Sequence, residues 1–115
     1  MSETLTLAVK ALDDKKAENI VALNMKGISL IADYFVICHG NSDKQVQAIA
    51  TELKKVLQEK GHDIKRLEGY DHARWILIDI GDVVVHIFHK EERVYYNLEK
   101  LWGDAPTIEL GGVIG

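Results

Sequence analysis

Between Thr4 and Lys16 the apolar residues Leu5, Ala8, Val9 and Leu12 recur at the i, i+3, i+4, i+7 spacing of one helical face, which predicts a short amphipathic helix. From Asn19 to Met25 the period drops to two. Val21, Leu23 and Met25 share one side and Ile20, Ala22 and Asn24 the other, so this run reads as a strand that Gly27 interrupts. A second strand, Tyr34 to His39, stops at Gly40-Asn41-Ser42. Ser42 and Gln45 stand at capping-box spacing, and the stripe Val46, Ile49, Ala50, Leu53, Val56 and Leu57 predicts a long helix that Gly61 terminates. Ile64 to Leu67 reads as a short strand and Glu68 to Ala73 as a loop.

The most informative stretch is the pair of β-rich runs Arg74 to Ile80 and Val83 to His89, separated by Gly81-Asp82, a two-residue hairpin signal with glycine first. If those two residues are the loop, the register follows: Ile80 faces Val83, Asp79 faces Val84, Ile78 faces Val85, Leu77 faces His86, Ile76 faces Ile87 and Trp75 faces Phe88. One side of the hairpin is then wholly aliphatic (Ile76, Ile78, Ile80, Val83, Val85, Ile87) and is expected in the core. The other is mixed: Trp75, Leu77, Asp79, Val84, His86 and Phe88. A helix of the same chain could cover it, but a charge between Leu77 and the turn tilts the reading towards partial exposure. Glu91 to Trp102 has Val94, Tyr95, Leu98, Leu101 and Trp102 at helical spacing and predicts one closing helix, ended by Gly103.

This element order predicts an α/β, single-domain sandwich with a mixed, about five-stranded sheet flanked by helices, including one parallel crossover through the long helix. The domain is expected over residues 1–103. Residues 104–115, with the lone proline Pro106 and the pair Gly111-Gly112, are expected to be an extended or frayed tail. At 115 residues, one core is the expectation. Fourteen Lys and Arg against eighteen Asp and Glu give a net charge of −4, which argues against naked nucleic acid as the main partner. The single cysteine, Cys38, excludes an internal disulfide and, with no signal-peptide or membrane-spanning pattern, points to the cytoplasm.

Candidate chemistry is thin. His86 and His89 lie three apart on a strand and point to opposite faces, so no metal site is expected there, and the neighbours Cys38 and His39 project to opposite sides and cannot form a thiol–imidazole pair. Gly40-Asn41-Ser42 resembles the glycine–serine turn of nucleotidyltransferases, but the Asp-x-Asp alternation that would hold divalent metal is missing, and Ser42 reads as a helix cap. A small nucleotide-binding or nucleotidyl-transferring enzyme using Gly40, Ser42 and Asp79 remains the alternative. Tyr95, Tyr96 and Trp102 read as core and rim aromatics.

The run from Trp75 through Asp79, Gly81, Asp82 and His86 to Phe88, followed by Arg93, Tyr95, Tyr96, Leu98, Glu99, Leu101 and Trp102, resembles the ribosomal silencing factor (Iojap-like, RsfS) family. So does the block Asp33 to Ser42 with Gln45 to Ala50. The resemblance covers residues 4 to 103, with His39 standing where serine is expected more often. It implies a nucleotidyltransferase-like fold without catalytic acids, a noncatalytic translation repressor and no cofactor. The implied partner is the large ribosomal subunit, bound through its fourteenth protein at the inter-subunit face so that the small subunit cannot join when nutrients are scarce. The mixed face becomes the candidate ribosomal-protein contact: Trp75 as anchor, Leu77 beside it, Asp79 and Asp82 for basic groups, with Gly81 and His86 between. A homodimer is also implied.

Overall fold

The computed structural model describes residues 2–114. The first apolar stripe forms α1 (Glu3–Asp14), whose N-terminus is capped by Ser2: its hydroxyl accepts the Leu5 amide at 3.0 Å, and Leu5, Ala8, Val9, Ala11 and Leu12 turn inward. β1 (Glu18–Asn24) and β2 (Tyr34–Gly40) pair antiparallel, with a bulge between Glu18 and Val21 where Asn19 takes a left-handed conformation. α2 (Asp43–Glu59) begins as its sequence predicts. Ser42 Oγ accepts the Gln45 amide at 3.1 Å, while the Gln45 side chain reaches one residue further back than the usual box and accepts the Asn41 amide at 2.7 Å.

The short strand β3 (Arg66–Glu68) begins two residues later than expected and leads through a loop to β4 (Trp75–Asp79) and β5 (Val83–His89). The sheet order is β1-β2-β5-β4-β3, with β2 and β5 parallel and every other pair antiparallel. The hairpin register is the one that the two-residue turn requires, from Trp75 opposite Phe88 to Asp79 opposite Val84. Gly81 makes the turn possible with φ +103°, and Ile80 donates to the Val83 carbonyl at 2.9 Å.

α1 and α2 pack on the aliphatic face, where Ile76, Ile78, Val83, Val85 and Ile87 are buried with Leu5, Leu12, Ile49, Leu53 and Leu57. The closing helix is not continuous. It divides into α3 (Lys90–Tyr96) and α4 (Leu98–Leu101) at Asn97, which is left-handed (φ 46°, ψ 58°) and accepts the Lys100 amide with its own side chain. Asparagine tolerates that conformation better than other non-glycine residues, so the apolar spacing runs on while the helix axis does not.

Residues 104–114 are docked rather than frayed, extended over 106–110 and turning at 111–113. Pro106 O accepts the Asn24 amide at 2.8 Å and Ile108 donates to Ala22 O at 2.9 Å, so this segment covers the outer edge of β1. Ala105 is buried on one side of the sheet and Leu110 on the other, so the segment straps the β1 edge to both layers.

Candidate docking face

Alternation along each strand collects one side chain set on the sheet face opposite α1 and α2. By register, Arg66 and Glu68 of β3 lie beside Asp79 and Leu77 of β4, then Val84, His86 and Phe88 of β5, then Phe35, Ile37 and His39 of β2. The covering of this face is divided. Over β1, β2 and the end of β5, the residues Leu98, Ala105 and Trp102 pack on Leu23, Met25, Ile37 and Phe88 to form a second small core. Towards β4 the cover ends, and Trp75, Leu77 and Asp79 remain half-buried, with Phe35 half-buried across the sheet. The question that composition left balanced has both answers, one at each end of the face.

Trp75 is held from three directions. Its indole Nε1 donates to His86 Nδ1 at 3.1 Å, and its ring lies 4.9 Å from that of Phe88 and 4.8 Å from that of Tyr96. The loop before β4 passes close behind it at Gly69 (φ +82°), where any Cβ would collide with the Trp75 carbonyl oxygen. Asp79 caps the turn, one carboxylate oxygen accepting the Gly81 amide at 2.9 Å, and the Asp82 carbonyl accepts the Asp33 and Tyr34 amides at 2.8 and 3.0 Å. The half-buried carboxylates of Asp79 and Asp82 thus stand at one end of the strip and Trp75 at the other, roughly 13 Å apart along four residues of strand.

His86 lies on the same face, beside Leu77 on β5, but is covered by its neighbours. It is 4 % exposed, burial pushes its pKa down to about 4, and its Nε2 is buried without a partner. Cys38 and His39 point to opposite sides: Cys38 is in the main core, its thiol pushed up to about 12 by burial, and His39 faces Arg93. The residues of the nucleotidyltransfer alternative do not meet. Gly40 pairs with His89 and Asp79 with Val84, at opposite ends of β5 and roughly 17 Å apart along it. Among the described residues, no group of three or more His, Cys, Asp or Glu is placed to hold a metal ion.

Sequence reasoning missed two parts of this region. Phe35 packs edge-on against His86 at 4.9 Å and lies 6.0 Å from Trp102, joining α4 to the face. The second is Arg93, 7 % exposed, whose guanidinium binds the Glu99 carboxylate at 2.9 Å, the Asn19 carbonyl at 2.7 Å and His39 Nδ1 at 2.9 Å. Burial, together with that positive charge, lowers the His39 pKa. The signal in the sequence was an arginine inside an apolar helical stretch with a glutamate two turns on.

These features define a small α/β domain with a mixed five-stranded sheet that carries a partly open strip of apolar and acidic side chains on one face. Residues 1–114 match the protein family described as ribosomal silencing factor during starvation, and the chain belongs to that family. It is 80 % identical over 112 residues to the ribosomal silencing factor RsfS of Halalkalibacterium halodurans, covering 97 % of this chain and 96 % of that protein. It is 67 % identical over 106 residues to RsfS of Bacillus subtilis, covering 92 % and 90 %. A crystal structure of a Bacillus halodurans protein, 75 % identical, superposes with a TM-score of 0.85 over 94 % of this chain and 98 % of that one. The family match runs through the docked C-terminal segment, beyond residue 103.

Proposed function

We propose that this protein silences translation by docking the Trp75–Leu77–Asp79 strip on the large ribosomal subunit, through its fourteenth protein, and so keeping the small subunit from joining. The supporting observation is the strip itself: half-buried Trp75 and Leu77, with the carboxylates of Asp79 and Asp82 at its end, on a part of the sheet face that α3 and α4 cover incompletely. A half-buried aromatic beside apolar area is the make-up of an interface anchor, and acidic groups at the rim suit a basic ribosomal partner. The action is steric, without turnover. Among the described residues no helix is long and apolar enough to cross a membrane, and the reading puts this activity in the cytoplasm.

The test is sucrose-gradient sedimentation of purified large and small subunits with and without the protein. The wild type is expected to comigrate with large subunits and to lower the joined-ribosome peak. Trp75→Ala is expected to weaken that binding by about 2 kcal/mol or more while the far-UV spectrum stays native. Wild-type protein that stays at the top of the gradient, or a folded Trp75→Ala that binds equally well, overturns this reading.

A further inference from the structure

His86 is a polar ring in a layer made otherwise of aromatic and aliphatic side chains, packed against Phe35, Trp75 and Phe88. The Trp75 indole nitrogen can only donate, so the 3.1 Å contact places the lone pair on His86 Nδ1 and the ring proton on Nε2. That Nε2–H is buried and meets no acceptor. A buried donor without a partner works against folding, and a purely apolar side chain would fill the same layer without that cost. What histidine adds is the single acceptor for Trp75. The ring contacts with Phe88 and Tyr96 hold the indole by area and tolerate sliding, whereas a hydrogen bond to its edge fixes rotation about the side-chain bonds.

We propose that His86 is a positioning residue of the docking face: by accepting the Trp75 indole N–H it fixes the rotamer in which that indole meets the ribosomal partner. The proposal rests on the reading of Trp75 as the docking anchor. His86 itself stays under the surface. Burial keeps its ring neutral at ordinary pH, so the acceptor persists.

Two substitutions of the full-length chain separate positioning from packing. His86→Asn brings an amide oxygen close to where Nδ1 stands, while His86→Gln reaches only the Nε2 position and leaves the indole without its acceptor. The readouts are co-sedimentation with large subunits and water exchange of the Trp75 indole N–H in the free protein, its resonance identified by its loss in Trp75→Phe. The Asn variant is expected within about twofold of wild-type affinity and the Gln variant about fivefold or more weaker, with faster indole exchange. A packing role reverses this order, because glutamine fills more of the histidine volume than asparagine. If the Gln variant does not fold, His86→Leu takes its place with the same expected loss. Wild-type affinity in the acceptor-free variant, or an Asn variant as weak as it, overturns the proposal. Should Trp75→Ala bind as tightly as wild type, the anchor reading falls and this proposal with it; should Trp75→Ala weaken binding while loss of the acceptor does not, only the positioning role falls.

Discussion

Lowering the pH probes the buried His86 ring directly. In the unfolded chain this imidazole takes up a proton near its ordinary value of 6.5, whereas burial in the fold depresses that value to about 4. Across this window the unfolded state binds the proton and the folded state does not, so stability falls as pH falls. The contribution is fully present above 6.5 and is lost progressively down to about 4. A depression of this size corresponds to about 3 kcal/mol, a large fraction of the roughly 5–15 kcal/mol that holds a domain of this size. His39, depressed in the same direction, steepens the profile. The diagnostic quantity is therefore the difference between the wild type and the non-titrating His86→Gln. Urea unfolding at pH 7 and at about pH 4.5 is expected to show the wild type losing roughly 2.5 kcal/mol more than the variant. A difference below about 0.5 kcal/mol would refute the reasoning, because the ring would then be taking its proton in the folded state at an ordinary pKa.

Two further predictions concern elements that hold the face in place. Arg93→Ala removes the partner of Glu99 and of the Asn19 carbonyl and is expected to lower unfolding stability by about 2–3 kcal/mol, below the usual cost of a broken buried pair because Glu99 can rehydrate. A loss under about 1 kcal/mol in urea titration would show that the network is decorative. Leu110→Ala is expected to cost about 2–3 kcal/mol and to speed amide exchange at Ile108, whose N–H bonds to Ala22; unchanged stability would mean that the strap contributes no core packing.

The hairpin was legible in the sequence because a two-residue turn leaves no slack: once Gly81 and Asp82 are the loop, every partner from Trp75–Phe88 to Asp79–Val84 is determined. The long helix was legible for a similar local reason, since Ser42 and Gln45 mark its start and one apolar stripe marks its buried side. The break at Asn97 was hidden because Val94, Leu98 and Leu101 keep helical spacing across it, and periodicity cannot detect a single left-handed residue. Docking of the C-terminal segment was hidden for the opposite reason. Its pairing with Ala22 and Asn24 joins residues more than eighty positions apart, and Pro106 and Gly111-Gly112 read locally as breakers. In the candidate site, alternation placed Trp75, Leu77 and Asp79 on one face. It could not reveal that Tyr96 and Trp102 would cover only part of that face, because this depends on where a kinked helix returns to the sheet.

The same geometry supports reading a surface, rather than a cleft, as the working part proposed for this fold. In sheets with parallel strands, ligands gather outside the carboxyl ends of those strands, where backbone amides at a helix start can cradle an anion. Here that place lies beyond Gly40 of β2 and His89 of β5, and several of its groups are already engaged. The Gln45 amide bonds to Ser42, the Asn41 amide to the Gln45 side chain, and the guanidinium of Arg93 is drawn to Glu99, Asn19 and His39. Along the neighbouring β4 the reverse holds: Trp75, Leu77 and Asp79 are held by His86, Phe88 and the Gly81 turn, yet stay half-open in front. Rigid backing with an open front is what an interface anchor needs, since the ordering cost is met on folding rather than on binding. A domain arranged in this way suits the docking role proposed for it, in which occupying a site on the ribosome is the whole action.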